Sequence, residues 1–294
     1  MENRVFLQAL DLPEVPYREK EKSLLTHQVT KYIADRPFPD IASYPIAIIG
    51  VEESRYAANN PIAPGGPDMV RHYLYQLNQG PFKLSMADLG NIKSGQSVED
   101  TYAALAEVLV ELIENKVVPV VIGGSQDLTF GIYKAYEKLK RIINIVAVDK
   151  QFDLGDDETK LSSETYLKKI ILQQPNYLFN YSNIGYQSYF VDQQAIKLME
   201  NMFFDVIRLG MARAGLPEVE PVIRNADVLS FDVGAIRASD APGHAQAGPN
   251  GFFVTKPARL RAMQGFPKNY HPLVFLNITR LTIPGVSPHS SLPK

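Results

Sequence analysis

The stretch VLSFDVGAIRASDAPG, residues 228–243, runs from an apolar, β-prone segment straight into a carboxylate, Asp232, and then to Gly234, which has no side chain to offer. An acid just after a buried strand is commonly a helix N-cap or a loop residue, so a single one does not define a site. Its meaning depends on what the other strand ends bring to the same place.

The chain of 294 residues is 45% apolar, enough for the core of one large α/β domain. A net charge of -2 and no run of like charge argue against nucleic acid or an anionic membrane as partner. With no cysteine there are no disulfides, thiolate zinc sites or cysteine nucleophiles. The beginning of the chain has no apolar signal-like stretch and no window reaches membrane-spanning length, so a cytoplasmic location is expected.

Apolar runs alternate with amphipathic ones along most of the chain. Ile46–Val51, LSMADLG, VVPVVIGG, INIVAVD, Leu178–Ile184 and Val228–Val233 read as strands. Between them, GGPDMVRHYLYQL reads as a helix with Val70, Tyr73, Leu74 and Leu77 on its buried stripe. Ser97, with Asp100 three residues on, caps a second helix that buries Tyr102, Leu105, Leu109, Leu112 and Ile113. Further helices are expected over Thr129–Arg141, Glu164–Leu172 and Asp192–Met202. This order predicts a three-layer α/β/α fold with a mainly parallel sheet, in one domain over residues 1–254, with chemistry beyond the carboxyl ends of the strands.

Three of those strands end in polar clusters: IGGSQD (122–127), VDKQFD (148–153) and SFDVG (230–234). Asp149, Gln151 and Asp153 share a parity, with Lys150 and Phe152 on the opposite one. With Asp232 they would gather three carboxylates, which cannot all stay ionised without a cation or raised pKa values. The glycine pair in IGGSQD lacks the spacing of a phosphate loop. The five histidines, His27, His72, His244, His271 and His289, all lie outside the clusters, and Ser125 has no base beside it in sequence.

In joint order these clusters resemble the ureohydrolase superfamily of arginase, agmatinase and formiminoglutamase, whose marks are GGDH, DAHxD and SFDxDxxDP. They stand here as GGSQ (123–126), DKQFD (149–153) and SFDVGAIR (230–237), and the likeness extends over roughly residues 46–253. The resemblance implies an arginase-type sheet, trimeric or hexameric homo-oligomers, a small amidine or guanidine ligand, and two manganese ions that lower the pKa of a water. It also implies that Asp149 and Asp232 match the two bridging aspartates and that Asp153 matches a further ligand. Gln126 and Gln151 replace two histidines, Gly234 replaces an aspartate, and Arg237 stands where a third acid would be.

A full two-manganese cluster is therefore not expected. The acids are left either with one divalent cation, Mg²⁺ or Mn²⁺, held by Asp149, Asp153, Asp232 and the Gln126 amide oxygen, or with none. In the second case, the preferred one, Arg237 or Lys150 neutralises them. The functional expectation is a family member that is catalytically impaired or non-catalytic; the alternative is an active single-metal hydrolase of linear amidines or guanidines.

The end of the chain reads differently. No Asp or Glu follows Asp240, and the segment 255–294 holds six prolines. Codons can be chosen in the stretch around Ala258 to Asn269 such that a displaced frame spells ACQIARYAGISEK, and over Leu273 to Arg280 such that it spells GFFEYNP. Similar segments follow the SFD strand in the superfamily, where the Glu of an ExNP motif helps bind the guanidinium-type group. The segment is thus expected to be an aberrant, out-of-frame extension starting near Val254, leaving the sheet without its last strand and with an uncovered edge. Sequencing codons 250–260 of the gene tests this: a frame displacement is expected there, and a continuous frame with no ExNP downstream would refute it.

Overall fold

Each strand-forming run of this chain is followed by a run that forms a helix, and a computed structural model of the chain arranges them as that alternation requires. It describes residues 1–12, 22–58, 65–80, 85–155, 160–215, 217–244 and 246–254, with the backbone of 273–277. In chain order the strands are β1 (Leu7–Gln8), β2 (Val29–Lys31), β3 (Ile46–Val51), β4 (Met86–Ile92), β5 (Val118–Gly123), β6 (Ile143–Val148), β7 (Leu178–Tyr186), β8 (Asp205–Arg208), β9 (Val228–Asp232) and β10 (Leu273–Asn277). The helices are α1 (Gly66–Leu74), α2 (Val98–Glu114), α3 (Leu128–Lys138), α4 (Tyr166–Ile171), α5 (Gln193–Asn201), α6 (Leu209–Ala214) and α7 (Glu220–Arg224).

The strands form one sheet in the order β1-β4-β3-β5-β10-β9-β6-β7-β8, with β2 beside β4. Among the described residues, every pairing between these strands is parallel except that of β1 with β4. Both faces are covered, which is why the central strands read as unbroken apolar runs. Ile145 and Ala147 of β6 pack in one core with α2, α3, α4 and α5. Their neighbours Val146 and Val148 face the other way and pack with Ile184, Ile207, Leu229 and residues of α6 and α7. On that second side, Ile48 and Ile122 pack against α1 through Val70 and Leu74. The three-layer α/β/α expectation is thus met.

Helix α2 forms as its sequence suggests. Ser97 Oγ accepts from Asp100 N at 3.1 Å while Asp100 Oδ2 accepts from Ser97 N at 2.9 Å, a reciprocal capping box. Leu105, Leu109 and Leu112 are fully buried on its inner face.

Helix α1 departs from the expected stripe. Tyr73 and Leu77 are exposed, and the most buried side chain is Arg71. Its guanidinium donates to Asp88 at 2.7 and 3.0 Å, to Asp68 at 2.9 Å, to Asn91 at 2.6 Å and to the Gly90 carbonyl at 2.9 Å. Apolar periodicity cannot reveal a buried face whose centre is a cation satisfied by five acceptors.

The expectation of a sheet lacking its last strand is also corrected. The backbone of β10 lies between β5 and β9, parallel to both, with Asn277 opposite Gly123 and Asp232. LVFLN is a short β-branched, aromatic and apolar run, as a central strand requires. The rest of the expectation for residues 255–294 lies outside the described residues. Strand β8 and helices α6 and α7 were too short to be anticipated from periodicity.

The Arg71 network yields a prediction. Replacing Arg71 with Leu strands the fully buried Asp88 carboxylate, so the Arg71→Leu chain should lose about 3–5 kcal/mol of stability. Urea unfolding followed by circular dichroism measures it.

Candidate functional site

Strands β5, β9 and β6 run in the same direction, so their carboxyl ends deliver Gln126, Asp232 and Asp149 to one rim of the sheet. The glycine pair after β5 serves packing. A Cβ on Gly124 would stand 1.8 Å from the Glu53 carbonyl oxygen, and Ser125 N donates to that same oxygen at 2.9 Å. Only glycine lets the β5 end pass so close to the chain leaving β3. Gln126, next in line, is buried and donates through Nε2 to Ser230 Oγ at 2.6 Å.

The three aspartates come together in the interior. Asp149, Asp153 and Asp232 are 1%, 5% and 6% exposed, so water does little to screen them from one another. Burial, followed by the charges of Asp153 and Asp232, holds the Asp149 carboxyl well above the usual carboxylate range. Burial likewise pushes Asp153 up to about 7; the Gln151 amide opposes that rise and the Asp232 charge adds to it. Asp153 has a positive φ of 52°. Gln151 Nε2 donates to Asp153 Oδ1 at 2.8 Å, and Asp149 Oδ1 accepts from Gln151 N at 3.2 Å. Asp149 Oδ2 and Asp153 Oδ2 are buried and accept from no other residue, so a proton kept on Asp149 is what lets the two carboxyls hydrogen-bond each other.

The expected side-chain cations face elsewhere, a correction to the sequence reading. Arg237 pairs with Asp240 at 2.9 Å and stacks on Phe253, 4.4 Å from the ring centre. Lys150 donates to the Gln246 carbonyl and lies 4.9 Å over the Phe190 ring. Lys150 lies in the bend beyond β6 and reaches the loop around Gln246, and the turn after Arg237 supplies a nearer acid.

One histidine does enter the cluster, contrary to the sequence reading. His244 is 6% exposed, and its Nε2 lies 3.5 Å from Asp232 Oδ1. Burial lowers its pKa; the Asp232 charge opposes that shift and Lys150 adds to it. Asp232 Oδ1 also accepts from Gly234 N at 2.7 Å. The signal for His244 was weak: it sits ten residues beyond Gly234, and only the return of the SDAPG turn brings it back. Ser230, the partner of Gln126, was hidden within the SFD strand.

These residues do not fit a pair of bridged metal ions. Gln126 spends its amide N–H on Ser230, Gln151 spends its own on a carboxylate oxygen, and Gly234 offers nothing. Among the described residues, no group of three or more His, Cys, Asp or Glu is arranged to hold a metal. The arrangement can retain protons, and these two oxygens can accept from a donor or a small cation. No helix among the described residues is long and apolar enough to cross a membrane.

Comparison with known proteins places the chain. The sequence model of the arginase family matches residues 44–269. The formimidoylglutamase of Hahella chejuensis is 26% identical over 200 residues, 62% of this chain and 60% of that protein. That of Lysinibacillus sphaericus is 25% identical over 254 residues, 79% and 77% of the two chains. The match thus spans about three fifths of the length of the first of these relatives. Among solved structures, formimidoylglutamase from Bacillus subtilis superposes with a TM-score of 0.75 at 16% identity, covering 92% of this chain and 89% of that one. Formiminoglutamase from Trypanosoma cruzi, crystallised with Mn²⁺, gives 0.73 at 16% identity, covering 87% and 90%. At that identity, the two superpositions establish the fold alone.

Proposed function

Because the chain belongs to the arginase family, we propose that it is a catalytically impaired or non-catalytic formimidoylglutamase-like member, retained for binding or assembly. The observation that carries this reading is that all three substituted positions are engaged by protein. Gln126 is held by Ser230, Gln151 by Asp153, and Gly234 faces His244. A two-ion centre needs ligands for both ions, and the second position would keep only Asp149 and Asp232. The resemblance to ureohydrolases implies a small amidine or guanidine as ligand and a homo-oligomeric state, and the sequence favours a cytoplasmic setting.

A second reading has one observation in its favour. Asp149 Oδ2 and Asp153 Oδ2 are buried and accept from no other residue, and a single divalent cation would satisfy both. With Asp232 and the Gln126 amide oxygen, such an ion would have an all-oxygen set that suits Mg²⁺ or Mn²⁺. The ion would supply Lewis-acid activation of water, while the Asp149 and Asp153 carboxylates would orient it.

Metal analysis and activity assays on the purified full chain separate the two. After exposure to Mn²⁺ and desalting, the chain should retain less than one equivalent. Its hydrolysis of formiminoglutamate, arginine and agmatine should fall on the order of 100-fold or more below an active formimidoylglutamase assayed in parallel. One tightly held ion with measurable turnover would establish the single-metal hydrolase, and two ions would refute both readings.

A further inference from the structure

We infer that the imidazole of His244, and not a second metal ion, is the partner Asp232 is built to hold, so that one half of the ancestral two-ion site is filled by the protein itself. This rests on the reading of the acid pocket as a degraded two-ion centre, and it identifies what occupies the lost half.

Four features converge. The imidazole Nε2 stands 3.5 Å from Asp232 Oδ1, and both side chains are removed from solvent. Gln246 N donates to His244 Nδ1 at 3.3 Å, which leaves the ring hydrogen on Nε2, the nitrogen facing Asp232. A Cβ built on Gly234 would lie 3.0 Å from His244 Cε1 and 3.0 and 3.2 Å from the two Asp232 oxygens. The ring edge and the Asp232 carboxylate thus crowd the position that the Cβ of a side chain at 234 would take.

The fourth feature is that the segment carrying His244 is tied down. Ala238 N donates to Gly248 O at 2.7 Å, and Phe252 N donates to Ala235 O at 2.8 Å. Gly251 passes so close that a Cβ there would stand 2.3 Å from Arg237 N. The Arg237–Asp240 ion pair braces the turn at one side, and Lys150 grips the Gln246 carbonyl at the other. The two cations that the sequence suggested as partners for the acids therefore act through the loop: they position the imidazole. Displacing His244 would mean loosening several of these bonds together, whereas a side chain on a free flap would simply swing aside.

The test compares two variants of the full chain by Mn²⁺ titration calorimetry, with electron paramagnetic resonance to detect a coupled manganese pair. One carries Gln126→His, Gln151→His and Gly234→Asp with His244 retained; the other adds His244→Ala. With His244 retained, no more than one ion should bind. With it removed, a second ion should bind at least about tenfold more tightly than to the first variant, and a coupled spectrum should appear. Two ions in the first variant overturn the inference, as does a second variant that takes no more than the first. Two ions in the unaltered chain instead overturn the reading of the site on which the inference rests.

Should circular dichroism show the variants unfolded, nitrogen-15 spectra of the histidines in the unaltered, chelator-treated chain decide. A His244 signal with the hydrogen on Nε2, displaced when Asp232 is replaced by Asn, supports the inference. A hydrogen on Nδ1, or a signal indifferent to that replacement, contradicts it.

Discussion

Carboxylates that fold together out of reach of water must be matched by cations, by hydrogen-bond donors or by protons. In this chain the parallel sheet forces the issue, because Asp149, Asp153 and Asp232 leave adjacent strand ends and are nearly inaccessible. The surroundings answer with donors, the Gln151 amide on Asp153 and the Gly234 amide on Asp232, and with the His244 imidazole 3.5 Å from Asp232 Oδ1. Asp149 and Asp153 respond with raised pKa values. Much of the loop architecture around the site follows from this arrangement.

The arginase fold explains why the pocket persists. Its strands are held by apolar clusters on the two faces of the sheet, through residues of β5, β6 and β9 that lie back from the rim. The Arg71–Asp88 network under α1 is a second buried charge cluster, and the contrast is instructive. There a fixed guanidinium meets each carboxylate oxygen, and neither oxygen of Asp88 lacks a partner.

Much of the fold was legible because apolar runs and capping signals are local. The Ser97 capping box, the α2 face and the alternation of strands with helices needed only a few neighbouring residues. The three acids were legible for the same reason, since Asp232 ends β9 and Asp149 and Asp153 follow β6, strands whose direction the alternation implied. What stayed hidden depends on contacts distant in sequence: Arg71 as the centre of a buried face, Ser230 under Gln126, and His244 returning over Gly234. The roles expected of Arg237 and Lys150 failed similarly, because Asp240 and the Gln246 carbonyl compete for them through a turn that strand parity does not describe. Strand β10 was missed because the composition of the surrounding segment outweighed a five-residue apolar run.

The central claim is that protein groups and retained protons, and not a pair of ions, balance the acids at this rim. A crystal structure of the unaltered chain grown in excess Mn²⁺, with anomalous differences measured at the manganese edge, tests it most directly. The account predicts His244 beside Asp232 and no pair of anomalous peaks. Two peaks about 3.5–4 Å apart, bridged by Asp149 and Asp232 with His244 displaced, would contradict it.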